Sequence, residues 1–123
     1  HRSSGEGMAG LISFAMPNGR LLVETRVTPA GRAKGFKGDS PAPGEGLMLV
    51  WEETGIRAIT MQGVPADLDV IFLGNNGVVG KVVTLVAETG RAVGAARYVL
   101  ELASGEAARH GIRPGFRFRW SES

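Results

Sequence analysis

Short runs of alternating apolar and polar residues, each cut off by a glycine or proline, constrain this chain to a fold of short strands. Val23, Thr25 and Val27 stand at one parity and Glu24 and Arg26 at the other. In an extended chain those two sets point to opposite faces. Residues 116–120 alternate in the same way, Phe-Arg-Phe-Arg-Trp, with aromatics on one side and arginines on the other. Nineteen glycines and six prolines are many for 123 residues and favour tight turns over long helices.

Read along the chain, the apolar runs predict strands over 11–16, 21–27, 47–51, 56–61, 69–73, 78–86, 97–102 and 116–120. Asn18-Gly19 is expected to supply the positive φ angles of a first hairpin turn, and Gly74-Asn75-Asn76-Gly77 to close a second. Residues 52–55 read as a turn and 37–45, rich in glycine and proline, as an exposed loop. Thr28, Pro29 and Gly35 have the order of an N-cap, a first helical residue and an exit, so 28–35 reads as a short helical turn. Residues 104–110 predict a second helix, capped by Ser104 and ended by Gly111. There is no internal repeat and no strand–helix–strand alternation. The expected fold is mostly β: an antiparallel sandwich or barrel of about eight strands with one or two short helices. It forms one domain over 8–123, with residues 1–7 reading as a tag remnant before Met8.

Composition removes several function classes. Without cysteine there is no disulfide, thiolate metal site or cysteine nucleophile. A formal net charge of +2 is too small to argue for nucleic acid as a partner. No apolar run approaches the ~20 residues of a membrane span. A start at Met8 implies a cytoplasmic protein, and an earlier start leaves export open. No cofactor motif is present. Gly74 to Lys81 lacks the glycine and hydroxyl residue a phosphate-binding loop needs, with Asn75 and Val82 in those places.

Candidate chemistry is sparse, and no catalytic residue is assigned. His110 is the sole histidine outside the opening residue, and no Gly-x-Ser-x-Gly elbow exists. Asp67 and Asp69, two apart, would share a strand face, where they could hold a divalent cation, act as an acid–base pair or cap backbone donors. Arg109, Arg113, Arg117 and Arg119 beside Phe116, Phe118 and Trp120 could meet nucleic acid if the aromatics were exposed, but strict alternation buries them.

The ordered set Ala33-Lys34-Gly35-Phe36, Gly46-Leu47-Met48-Leu49, Thr60-Met61-Gln62-Gly63-Val64, Asp67-Leu68-Asp69-Val70-Ile71-Phe72, Tyr98-Val99-Leu100-Glu101-Leu102 and Gly111-Ile112-Arg113-Pro114-Gly115 resembles the bacterial and archaeal domain of unknown function 192. The resemblance implies a β-sandwich-like fold and no particular activity. The chain departs from the family pattern at Thr60, Gln62, Gly63, Val64 and Phe116, which stand in place of tryptophan, lysine, asparagine, threonine and aspartate. The most characteristic segment holds Arg57, Met61, Gln62, Asp67 and Asp69, the expected ligand-binding residues. The expectation is a non-catalytic binding or accessory domain for a small polar ligand, a glycan or a protein partner. Alternatives are a metal-assisted hydrolase on Asp67 and Asp69 and a nucleic-acid module on the C-terminal arginines. A homodimer would follow if residues 116–120 formed an edge strand.

Overall fold

A computed structural model describes residues 10–120. The tag-like opening and Met8 lie outside the described residues. Six strands, β1 (Leu11–Met16), β2 (Gly19–Arg26), β3 (Glu45–Thr60), β4 (Leu68–Leu73), β5 (Val79–Leu85) and β6 (Arg91–Ala103), form one sheet in the order β1-β2-β3-β6-β4-β5. Two short helices, α1 (Pro29–Lys34) and α2 (Glu106–His110), complete the fold. The chain is mostly β, as its alternation requires. All pairings are antiparallel except β2 with β3. That parallel pair needs a long connection, which α1 and the loop after it supply.

Six strands replace the eight expected because of one merger and one loss, and another strand is longer than expected. Residues 52–55 do not turn the chain; β3 runs through them with an irregularity between Val50 and Gly55. β6 begins at Arg91 rather than Arg97. Its first half, Arg-Ala-Val-Gly-Ala-Ala, carries too little bulk to show as a strand in sequence. Residues 116–120 make a single bridge, Val78 with Arg117. They lie along β5, where Val79 donates to the Phe116 carbonyl and Phe118 donates to the Gly77 carbonyl. Their alternation still holds: Phe118 is buried and Arg117 and Arg119 are exposed. The first hairpin also shifts by one residue. Met16 pairs with Gly19, so Pro17-Asn18 is the loop and Gly19, at φ 131°, opens β2.

The sheet is buried on both faces. Phe14, Leu21, Val23, Met48, Ile71 and Leu100 build one core, closed by Ala107 of α2, Ile112, Phe118 and Trp120. Trp120 meets Tyr98 and Phe14 edge-on, with ring centroids 5.0 and 5.9 Å apart. Leu47, Leu49, Val70, Phe72 and Val99 build the other. The outer arms of β3 and β6 curl over this second face. Val99 pairs with Phe72, and Gly94 lies far enough before it to be ~16 Å away in a straight strand. Yet a Cβ on Gly94 would stand 3.0 Å from the Phe72 ring, and Lys81 Nζ donates to the Val93 carbonyl at 2.7 Å. The curl makes one open sheet behave as a half-closed barrel.

Candidate functional site

The centre of the second face holds a carboxyl group. Glu101 lies in β6 between Leu47 of β3 and Val70 of β4, its cross-strand partners. It shares their face with Val99, by the period of two. The residue is 5% exposed, and no hydrogen bond or ion pair reaches its side chain among the described residues. Burial pushes its pKa from 4.5 up to about 7, because low-polarity surroundings penalise the charged form.

The chain passes over this carboxyl on a strap made by the end of α1 and the residues that follow. Thr28 caps α1, its Oγ1 accepting from the Gly31 amide at 3.0 Å, and Pro29 occupies the first turn, as the sequence predicts. Gly35 ends the helix at φ 47°, ψ −128°, a conformation that only glycine adopts easily. A Cβ there would stand 3.4 Å from Glu101 Oε1, so the strap crosses directly above the carboxyl. Gly38 is pinned to the Gly63 carbonyl at 2.8 Å, and Phe36 drops into the core. Between strap and sheet lies a cavity of about 100 Å³. Leu49, Ile59, Met61 and Val64 form its apolar wall, and Glu101 its one acidic lining residue.

Of the residues expected to bind a ligand, Met61 reaches this cavity. It is fully buried, and its amide donates to the Gly90 carbonyl. Arg57 lies outside, on the curled arm. Its Nε donates to the Ala96 carbonyl at 3.1 Å and its guanidinium stacks 4.4 Å from the Trp51 ring. Gln62 is exposed in the turn after β3. Asp67 and Asp69 are both engaged by backbone. Asp67 accepts from the Ala87 amide at 2.8 Å. Asp69 is buried and accepts from Thr84 Oγ1 at 2.7 Å and from the Gly105 and Ala107 amides at 3.0 and 2.9 Å. The expected Ser104 cap is therefore replaced: Gly105 holds the N-cap position of α2 in the left-handed region, and a carboxylate from β4 supplies the missing acceptor. Among the described residues no three His, Asp or Glu side chains gather closely enough to hold a metal ion.

His110 is also buried. Neither ring nitrogen has a hydrogen-bond partner among the described residues, and Nε2 stands 3.7 Å from Glu106 Oε1. Desolvation pulls the Glu106 pKa upward. The amide of Gly44, the hydrogen bond and charge of Arg109 and the charge of His110 outweigh it and hold Glu106 below its ordinary value. Arg109 also donates to the Asn18 carbonyl at 3.0 Å, while Asn18 donates to the Arg109 carbonyl. This seats the first hairpin on α2.

Sequence reasoning passed over Glu101. The available signal was a single charge inside the apolar run Tyr98-Val99-Leu100-Glu101-Leu102-Ala103. A carboxylate in a central strand needs a partner, a proton or a job.

A small mostly β domain with a buried carboxyl lining a cavity between its sheet and a crossing strap is the class that this fold and site define. The chain belongs to the DUF192 family (Uncharacterized ACR), whose model matches residues 13–120. Among solved structures it is similar to a Sinorhizobium meliloti 1021 protein, named provisionally as a transcription regulator. That protein is 25% identical, with 90% of this chain and 95% of the other covered and a TM-score of 0.78. It is also similar to a protein of unknown function from Novosphingobium aromaticivorans DSM 12444, 23% identical, with 98% and 99% covered and a TM-score of 0.74. No curated protein matches. Among the described residues no helix is long and apolar enough to cross a membrane.

Proposed function

We propose that this domain binds a small polar ligand non-catalytically in the cavity beneath the α1 strap, with Glu101 as the recognising group and Met61 in the wall. One observation carries the reading: a buried carboxyl that lines a cavity and has no hydrogen-bond donor among the described residues. Such a group costs several kcal/mol of desolvation when ionised and unpaired, and a ligand that donates hydrogen bonds to it recovers much of that. The engagement of Asp67 and Asp69 by backbone donors favours binding over metal-assisted hydrolysis. In the test, the wild-type chain and Glu101→Gln are melted against small amines, amidines, alcohols and divalent cations. A ligand that raises the melting temperature of the wild type and not of the variant supports the reading. No Glu101-dependent shift at millimolar concentration across the organic panel would sink it, and a shift with a divalent cation alone would revive the hydrolase.

A second reading rests on the opposite core. Arg97, Arg117 and Arg119 line an open hollow of about 350 Å³ with Asn75, Asn76 and Trp120, and no carboxylate is among its lining residues. Of the four arginines expected to meet nucleic acid, Arg117 and Arg119 are here, whereas Arg109 is engaged by Glu106 at 2.9 Å. The regulator-like description of the Sinorhizobium relative agrees with an anionic partner. Retention on heparin that weakens with salt and with Arg117→Ala would favour it, and passage without retention at low salt would remove it.

A further inference from the structure

We infer that the open hollow beside the β4–β5 turn binds the phosphoryl group of a small phosphomonoester. The inference rests on the second reading above, that this hollow meets an anion, and adds the group it recognises. Its basis is a surplus of donors gathered at one turn. Arg97 Nη1 donates to Asn75 Oδ1 at 2.8 Å, and Arg117 Nε donates to the Asn76 carbonyl at 3.2 Å. Two guanidinium groups from distant parts of the chain are thus held by consecutive residues, whose Cα atoms are about 3.8 Å apart. Arg97 is fixed further: its Nε donates to the Trp51 carbonyl at 3.2 Å, and its guanidinium stacks 5.1 Å from the Tyr98 ring. Arg119 stands two residues beyond Arg117, exposed as Arg117 is, and lines the same hollow.

The acceptors of the turn are occupied. Asn75 Oδ1 serves Arg97, the Asn76 carbonyl serves Arg117, and Asn76 Oδ1 accepts from the Val78 amide at 3.1 Å. The donors are in excess. Arg97 Nη2, both terminal nitrogens of Arg117, the Arg119 guanidinium and the side-chain amide nitrogens of Asn75 and Asn76 have no acceptor among the described residues. A lining with free donors and occupied acceptors suits a ligand that only accepts. No Asp or Glu lines the hollow, and among the described residues no carboxylate pairs with any of the three arginines. Glu52 and Glu53, the acids that follow Trp51, line a separate hollow with Arg32 and Arg57. A phosphomonoester carries about two negative charges on three terminal oxygens, and guanidinium forks match such oxygens two at a time. A lone carboxylate brings one charge and two oxygens, too few for three guanidinium groups. The hollow, at about 350 Å³, also has room for the organic part of the ligand.

The experiment is calorimetric titration of the whole chain at low salt with glucose 6-phosphate, inorganic phosphate, acetate and an unphosphorylated oligothymidylate, repeated with Arg117→Ala, Arg117→Lys, Arg119→Ala and Arg113→Ala. Glucose 6-phosphate and phosphate are expected to bind one to one, about tenfold more tightly than acetate. Arg117→Ala and Arg119→Ala should each weaken that binding about tenfold, and Arg117→Lys, which keeps the charge and loses the fork, several-fold. Arg113 is exposed and outside the hollow, so Arg113→Ala should bind as the wild type does. All three replaced arginines are exposed, so folding is not at risk, and melting curves serve as the control. Equal losses from Arg113→Ala and Arg117→Ala would reduce the effect to net charge and overturn the site. Acetate bound as tightly as phosphate, or oligothymidylate bound through Arg117 while neither small phosphate binds, would overturn the ligand class and leave the anionic reading standing. No binding by any of the four compounds would overturn both. Phosphate binding that appears only once residues 121–123, which include Glu122, are removed would assign the hollow to the chain's own carboxylates and overturn the inference.

Discussion

Gly35 and Glu101 sit one above the other: a methyl carbon built on Gly35 would stand 3.4 Å from Glu101 Oε1. The strap can pass this close because Gly35 has no side chain and because it takes a backbone conformation at φ 47°, ψ −128°. Gly35→Ala therefore meets two costs, strain of roughly 1–3 kcal/mol and a methyl group over the carboxyl. A urea titration should show a loss of that size. A change within a few tenths of a kcal/mol would mean that the strap does not hold this geometry.

The carboxyl beneath it makes stability depend on pH. Its pKa is raised from 4.5 to about 7 on folding, so the folded chain holds this proton more tightly than the unfolded chain. The group costs nothing while both states are protonated, below about 4.5. The penalty grows as pH rises through the window to about 7 and levels off above it, at about 3 kcal/mol. Glu101→Gln should remove this component. Its stability relative to the wild type should climb between pH 4.5 and 7.5, read from denaturant midpoints at several pH values. A pH-independent difference would show that Glu101 already has a partner.

Asp69 ties β4 to α2, and its loss should be felt in both. Replacing it with alanine removes the acceptor of the Gly105 and Ala107 amides and of the Thr84 hydroxyl. The expected cost is about 2–4 kcal/mol. Asp69→Asn keeps one oxygen and should lose less. Asp67→Ala, which frees the Ala87 amide at an exposed position, should cost about 1 kcal/mol or less. Equal effects of the two alanine variants in chemical denaturation would contradict this division.

His110 offers a gain instead. Its ring is buried with both nitrogens unpartnered among the described residues, so an apolar side chain of similar size removes two desolvated nitrogens, against the loss of the charge that helps hold Glu106 below its ordinary value. His110→Leu is expected to raise stability by about 1 kcal/mol, measured by calorimetry. Destabilisation by a similar amount would show that the weak approach to Glu106 matters.

Near the bend of the curled sheet, Gly94 faces Phe72 at 3.0 Å from where a Cβ would be. Gly94→Ala should overpack this contact and cost roughly 1–3 kcal/mol. An unchanged melting temperature would mean that the arm can lift away from Phe72.

Local chemistry was readable from the order of residues. Thr28, Pro29 and Gly35 specify α1 through contacts within one turn, and Gly74 and Gly77 bound the second hairpin. Phe116, Phe118 and Trp120 face inward because their neighbours are arginines. These features depend on spacing along the chain, and spacing survives folding. Other features depended on residues far apart meeting. Ser104 lost the cap of α2 to Asp69, which no local rule connects to it. Residues 91–96 became strand because they found the backbone of 55–60, and residues 52–54 were carried along inside β3. Glu101 looked like one polar residue in an apolar run until Leu47, Val70 and the strap closed around it. A carboxyl's hydration, and so its charge and its use, is set by what surrounds it in space, and the linear order of a chain does not contain that distance.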